Sequence, residues 1–159
     1  MPATLTHLSP AARRVRWSNV GWRRMAALAV LPAIAACGDA TTGPNSVAGT
    51  YDLEYVQGQP LPAYVDRTAN ETLEATDGVL ILRPDATFEV QLDLRYTDLV
   101  NGGVVHYTDA GAGTYTVSGN RITVYVTTAS GGSFAPGDQE TGTVTGNTVD
   151  VGGLTFVLR

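Results

Sequence analysis

The 159-residue chain contains no lysine and only one cysteine, Cys37. A lone cysteine excludes a disulfide within the chain. One histidine, His106, follows Cys37, so a zinc site built from Cys and His ligands is excluded in that part as well. The sequence also lacks a Gly-x-Ser-x-Gly nucleophile elbow and the Asp/Asn spacing of a calcium loop. These absences leave little scope for enzymatic chemistry.

Long hydrophobic runs are absent too. The longest apolar run extends for 12 residues from Met25 to Ala36, whereas a membrane-spanning helix needs about 20. Five arginines and no acidic residue precede this run, and small residues end it. A basic start followed by a short apolar stretch is typical of a secretory signal, which we place at residues 1–36.

The residues at the end of the run, Ile34-Ala35-Ala36-Cys37, resemble the lipobox of bacterial lipoproteins. This resemblance implies that Cys37 becomes the first residue of the mature protein and carries lipid, including acyl chains such as palmitate. Several acyl chains anchor a protein firmly, because each buried methylene contributes about 0.8 kcal/mol. Gly38 in the following position indicates an outer-membrane lipoprotein facing the periplasm. Membrane attachment is therefore expected through the lipid on Cys37.

Two other interpretations of this segment stay open. Ala33-Ile34-Ala35 fits an ordinary signal-peptidase site, which would release a soluble protein, and the apolar run could also be retained as an anchor. Residues 37–46 are small, polar and contain Gly and Pro, which predicts a flexible tether after the lipidated cysteine. The folded domain is expected at residues 47–159.

The mature part of the chain is acidic. Residues 37–159 contain five arginines and 15 acidic residues, which gives a formal charge of −10. Nucleic-acid affinity depends largely on Lys and Arg, so nucleic acid is excluded as a partner. Protein partners are not identified by the sequence.

The sequence from residue 47 onward has the alternation of β-strands. In "TFEVQLDLRY" five apolar residues alternate with five polar ones between Thr87 and Tyr96, and "VAGTYDLEYV" repeats the pattern from residue 47. A period of two places the apolar side chains on one face of a sheet. Turns are predicted at Pro84-Asp85, Asn101–Gly103, Gly119-Asn120 and Gly146-Asn147. The predicted strands cover residues 48–56, 79–83, 87–97, 104–109, 112–118, 121–128, 140–145 and 147–158, with a possible break at Gly152-Gly153.

These strands predict an all-β fold. An antiparallel up-and-down barrel of about eight strands hides the sheet edges, and a β-sandwich is the alternative. Residues 61–78 begin with Leu61-Pro62 and contain few alternating apolar residues. We predict a loop or short helix there, covering one end of the barrel as a lid.

Three segments resemble known bacterial domains. The order "VAGTYDLEYVQGQPLP", "GVLILRPDATFEV" and "GTYTVSGNRITVYV" is similar to lipocalin-like domains of bacterial lipoproteins. The stretch from Gln57 to Pro62 is also similar to the region after the first strand of META-type domains. The resemblance covers roughly residues 47–128 and implies a lipocalin-like or META-like β-barrel.

The ionisable residues give no convincing active site. His106 is predicted to be a polar residue on a strand, and the acidic pairs Glu71/Glu74 and Glu89/Asp93 are predicted to be solvated. We therefore expect no catalytic residue, metal site or cofactor, and the protein is predicted not to be an enzyme.

The leading hypothesis for function is a binding module. Five aromatic residues are predicted to line a cavity for a small hydrophobic ligand. They are Tyr51, Tyr55, Phe88, Tyr96 and Tyr115. Arg95 and Arg121 could meet a ligand carboxylate, but Arg95 is in phase with the polar face. The alternative is a non-enzymatic envelope structural or interaction protein, in which the same aromatic residues fill the barrel and leave no ligand site. A transmembrane barrel is a third, weaker possibility.

Overall fold

The computed structural model describes residues 43–159, which form ten β-strands and one short 3-10 helix at Pro44–Ser46. The strands are β1 (Gly49–Val56), β2 (Gln59–Pro60), β3 (Ala63–Arg67), β4 (Glu71–Leu82), β5 (Thr87–Asp98), β6 (Val104–Ser118), β7 (Arg121–Ser130), β8 (Gln139–Thr145), β9 (Thr148–Val151) and β10 (Leu154–Leu158). The predicted leader (residues 1–36), Cys37 and the following residues of the predicted tether up to Thr42 lie outside the described residues.

Eight of the strands close into an antiparallel barrel. Neighbours along the sheet follow the chain from β4 to β10, β10 pairs with β1, and β1 pairs with β4. The two short strands lie outside this ring, β2 beside β1 and β3 beside β4. The prediction of an eight-stranded up-and-down barrel is confirmed, and the alternative of a sandwich is wrong because the β1–β4 pairing closes the sheet.

The core follows from the alternation along each strand. On β5, Phe88, Val90, Leu92 and Leu94 are buried, while Glu89 and Gln91 between them are exposed. Inward-facing residues of the other barrel strands complete one continuous apolar cluster. All four predicted turns are present, and two turn residues, Gly152-Gly153, separate β9 from β10 as the sequence predicted.

The prediction for residues 61–78 was wrong. This segment contains β3 and the first half of β4, so it is mostly strand and not a loop or helix. The alternation was hidden because the register of β4 against β5 shifts between Ala75 and Asp77. Such a bulge adds one residue to a strand and reverses the phase of the side chains beyond it.

Residues 104–109 and 112–118 were predicted as separate strands but form one strand, β6. Glycines in "DAGAGT" weakened the strand pattern. One of them, Gly113, lies at a register shift against β7, where a Cβ would come within 1.9 Å of the Tyr125 carbonyl oxygen. The glycine is therefore required by the close approach of two strands.

The end of the predicted tether is ordered against the barrel. The hydroxyl of Tyr115 donates to the carbonyl oxygens of Arg83 (2.7 Å) and Pro44 (3.1 Å). The 3-10 helix is thus fixed beside the β4–β5 turn, and the chain enters the domain at that end of the barrel.

Replacing Tyr115 by phenylalanine tests this link. Y115F should lower the free energy of unfolding by about 1 kcal/mol, since it removes the part-buried hydrogen bonding of the hydroxyl to Arg83 and Pro44. Urea denaturation measures the change. The matched variant Y125F alters a half-exposed tyrosine and should cost less than about 0.5 kcal/mol. Equal losses in the two variants would contradict the assigned role.

Candidate functional site

The barrel interior is filled by side chains. The internal cavity between the strands has a volume of about 40 Å³, whereas pockets for drug-sized ligands measure about 300–1,000 Å³. Its walls are almost entirely apolar. They include Leu80, Phe88, Val126, Phe134, Leu154 and Phe156. In this conformation the interior holds no space for a small hydrophobic ligand.

Three of the five predicted ligand-binding residues are part of this packing. Tyr51, Phe88 and Tyr115 are each at most 3% exposed. The hydroxyl of Tyr51 donates to the carbonyl oxygen of Val47 at 2.7 Å, so it is already satisfied. Burial raises the pKa of both tyrosines. These side chains fill and fasten the core at the end where the chain enters.

Tyr55 does not join them. It is 42% exposed, because the register of β1 against β10 shifts between Leu53 and Tyr55. The shift places Val56, not Tyr55, in the core. Simple alternation from Tyr51 and Leu53 put Tyr55 on the wrong face.

Tyr96 lies at the other end of β5, where it is half-buried. Its hydroxyl donates to Glu71 Oε2 at 2.8 Å. On the opposite face of the same strands, Arg95 Nε donates to Glu74 Oε2 at 2.7 Å. Arg95 is consequently engaged in an ion pair on the outer face, as its phase indicated, and does not reach the interior.

A loop between β7 and β8 closes the barrel near this end. We refer to Gly131–Asp138 as the lid. The ring of Phe134 packs over Gly111 and Val90 and forms part of the cavity wall. Backbone hydrogen bonds join Val126 to Gly137 (2.8 Å) and to Asp138 (2.9 Å) at the base of the lid. The end of the barrel is thus covered by the lid, and not by residues 61–78 as predicted from the sequence.

Asp109 holds the lid in place. Its side chain is 1% exposed, and Oδ2 accepts the backbone N–H groups of Gly132 (3.0 Å) and Ser133 (2.6 Å). Gly131 has φ +84°, and a Cβ there would lie 1.7 Å from Asp109 Oδ1. Oδ1 has no hydrogen-bond partner among the described residues. Sequence reasoning missed Asp109 and Phe134, because both act through contacts between the lid and β6 that leave no local pattern in the sequence.

Glu140 adds a second carboxylate beneath the lid. It lies opposite Val124 on the inner face and contributes to the cavity wall. Burial and, to a smaller extent, the negative charge of Asp138 raise its pKa. Ionised Glu140 is therefore less stable in the folded chain than in water.

A larger concavity lies outside the barrel, over β4 to β7. It is an open groove of about 400 Å³. Small side chains on β6 form its floor and larger ones its sides. Examples are Val79, Ile81, Gln91, Ala110, Ala112 and Thr128. The concave surface of this domain is thus mostly external.

The remaining candidate residues lie apart from one another. His106 and Arg121 are exposed on strands. Glu89 pairs with Arg83 at 2.9 Å, and Asp93 accepts the Thr108 hydroxyl at 2.6 Å. Glu71 and Glu74 face opposite sides of the sheet. None of these residues is brought to a common cleft.

Residues 43–159 contain no group of three or more His, Cys, Asp or Glu residues that could hold a metal ion. No helix among these residues is long and apolar enough to cross a membrane.

The chain matches no protein-family model, no curated protein and no solved structure.

Replacing Asp109 by alanine should release the lid. D109A leaves two backbone N–H groups without their acceptor, so we expect a loss of about 1–3 kcal/mol in unfolding free energy. Hydrogen exchange at Gly132 and Ser133 should accelerate. The control D150A alters an exposed aspartate and should leave both quantities nearly unchanged. Unchanged exchange in D109A would show that Asp109 does not hold the lid.

Glu140 predicts a pH dependence. A carboxyl group whose pKa is raised by folding stabilises the folded state fully below its unfolded pKa of about 4.3, and this contribution is lost as the pH rises through the folded pKa. E140Q should therefore unfold at a higher urea concentration than the parent at pH 7, with a smaller difference at pH 4. The control E54Q, at an exposed position, should show no such pH-dependent gap. An equal gap at both pH values would contradict this assignment.

Proposed function

We propose that this protein is a lipid-anchored lipoprotein of the bacterial envelope whose β-barrel acts through its outer surface. Action through the outer surface is supported by the filled interior, which has a cavity of only about 40 Å³. Side chains alone can fill an eight-stranded barrel, so the fold by itself requires no ligand. The function is that of a structural or interaction domain.

The anchor is supported by the sequence around Cys37. A basic start, a 12-residue apolar run and Ile34-Ala35-Ala36 before the cysteine together match a lipoprotein signal. Five residues lie between Cys37 and Gly43, so the two Cα atoms are at most roughly 20 Å apart. Pro44 lies beside Tyr115 at the end of the barrel that carries the β4–β5 turn. A lipid on Cys37 would therefore hold that end nearest the membrane.

The outer surface has the features of a binding surface. Residues 43–159 contain five arginines and 14 acidic residues, a formal charge of −9. Such a surface repels nucleic acid and favours basic partners. The external groove and the exposed apolar residues at the end of β5 and start of β6 add contact area.

A second candidate function is binding of a small hydrophobic molecule inside the barrel. The observation that favours it is the lid, since Phe134 covers an apolar interior and is held mainly by Asp109. Displacement of Phe134 would add its volume to the cavity. An apolar cavity of about 150 Å³ is enough to bind benzene.

The two functions are separated by the contents of the purified protein. Native mass spectrometry of the full chain from its membrane, followed by organic extraction, should show no small molecule beyond the lipid on the protein. Addition of a fluorescent naphthylamine probe should give no saturable signal. A co-purified molecule that is lost in Phe134→Trp would favour the interior site instead.

The anchor is tested at Cys37. C37S should abolish incorporation of labelled palmitate, because the thiol is the attachment point for the lipid. T42S, a substitution five residues further on, should incorporate label at the parental level. Undiminished labelling of C37S would refute the lipoprotein assignment.

A further inference from the structure

One segment of the sheet has a free edge. Residues Val104–Asp109 of β6 pair with β5, but β7 pairs with β6 only from Ala110 onward. No other strand among residues 43–159 pairs with this segment. We refer to Val104–Thr108 as the free edge.

The backbone of the free edge is oriented to accept another strand. The N–H of Asp98 donates to the carbonyl oxygen of Gly103 at 2.8 Å, which fixes the hydrogen-bonding phase of the β5–β6 ladder. Hydrogen-bonded and non-hydrogen-bonded pairs alternate in an antiparallel ladder. Val104, His106 and Thr108 therefore direct their N–H and C=O groups away from β5. These are the groups that an added strand would use.

The two short strands outside the ring, β2 and β3, are protected against such pairing. β2 is two residues long and ends in Pro60. β3 carries Asp66 and Arg67 and has a register shift between Tyr64 and Asp66. Proline, charges, bulges and short length all discourage edge pairing. The free edge has five residues, no proline, no bulge and no Asp, Glu, Arg or Lys.

The side chains around the free edge are apolar and exposed. Val105 is 56% and Tyr107 39% exposed, and both lie on the face that also carries Tyr96. Leu99 and Val100 in the adjoining turn are exposed as well. An added strand would cover this surface with every second side chain.

We infer that the free edge binds an extended segment of a partner protein, which adds a strand to the sheet beside β6. Backbone hydrogen bonds supply affinity in this mode, and alternate side chains supply specificity. The segment should carry apolar residues at alternate positions to cover Val105 and Tyr107. It should also be basic, because the described domain has a formal charge of −9.

The position of the anchor favours a protein over the membrane or a second copy, and this step depends on the proposed lipidation of Cys37. β5 spans roughly 36 Å at about 3.3 Å per residue, and the 3-10 helix lies at its opposite end from the free edge. The apolar tip is therefore directed away from the anchoring membrane. Two copies paired antiparallel through a two-fold axis would direct their anchors in opposite directions.

A synthetic strand tests the inference directly. The probe is a nine-residue peptide that alternates valine with threonine, has an arginine at each end and carries a fluorophore. It should bind the purified full-length protein with micromolar affinity and slow hydrogen exchange at Val104, His106 and Thr108. The same peptide with N-methyl groups on the residues facing β6 should bind at least tenfold more weakly, because it cannot donate to the strand.

Two protein variants supply independent evidence. H106P removes an N–H that points away from β5, a position where an edge strand tolerates proline, and should weaken binding at least tenfold. H106T keeps that N–H and should bind like the parent. Should H106P fail to fold, V105K provides the measurement, because it places a charge under the added strand and should also weaken binding at least tenfold.

The remaining outcomes overturn the inference. The first is that the peptide does not bind at millimolar concentration. The second is that the N-methylated peptide binds as tightly as the unmodified peptide. The third is that H106P and V105K both bind the peptide as tightly as the parent protein does. Dimerisation that V105K abolishes would assign the edge to a second copy. Vesicles of phosphatidylethanolamine and phosphatidylglycerol that bind C37S but not the double variant C37S/V105K would assign it to lipid. C37S lacks the proposed lipid but keeps the free edge. Peptide binding by C37S therefore tests the edge independently of the anchor.

Discussion

The barrel depends on one short pairing, between β1 and β4. Only four residue pairs, from Gly49↔Leu82 to Asp52↔Val79, join the first and second long strands of the sheet. Without them the sheet would have two long edges and an uncovered apolar face. Arg159 extends the neighbouring ladder of β1 with β10, since its N–H donates to the carbonyl oxygen of Thr50, and its guanidinium pairs with Asp52. β1 is thus held by β4 on one edge and by β10 on the other.

Because the pairing between β1 and β4 is short, the two strands separate beyond it. Past Asp52, β1 turns to β2 while β4 continues in the opposite direction beside β3. The long strands β4, β5 and β6 therefore extend past the closed ring. Their extension creates a wall of sheet at one end of the barrel, and the lid packs at the base of that wall through Phe134 and Asp109. The first residues of β6, at the tip of this wall, pair with β5 but not with β7, so the same geometry that closes the core leaves an edge open.

The sequence predicted those features that depend on neighbouring residues. The alternation of β5 and the turns at Gly119-Asn120 and Gly146-Asn147 are local, and closure into a barrel follows from the need to hide edges. Features set by the partner strand were not predictable in this way. Each register shift depends on two backbones, and the shifts on β1 and β4 reversed the expected orientation of Tyr55 and concealed the first half of β4. The interior ligand site was predicted from aromatic residues on the apolar faces of the strands, and this pattern does not distinguish residues that line a cavity from residues that fill the core.

The filled core and the open edge support one functional argument. Tyr51, Phe88 and Tyr115 contribute their apolar area to folding, and a cavity of about 40 Å³ leaves little of the interior available for a ligand. The exposed apolar area is instead concentrated on the turn after β5 and the start of β6. Exposed apolar residues beside unpaired backbone groups carry a risk of aggregation. Charged residues reduce this risk on β3, whereas Val104–Thr108 contains no Asp, Glu, Arg or Lys that would reduce it there. A surface of this kind is compatible with a folded protein when another strand regularly covers it. Restriction to one membrane surface through a lipid on Cys37 would favour this outcome, because anchored copies pointing the same way cannot pair antiparallel through their free edges.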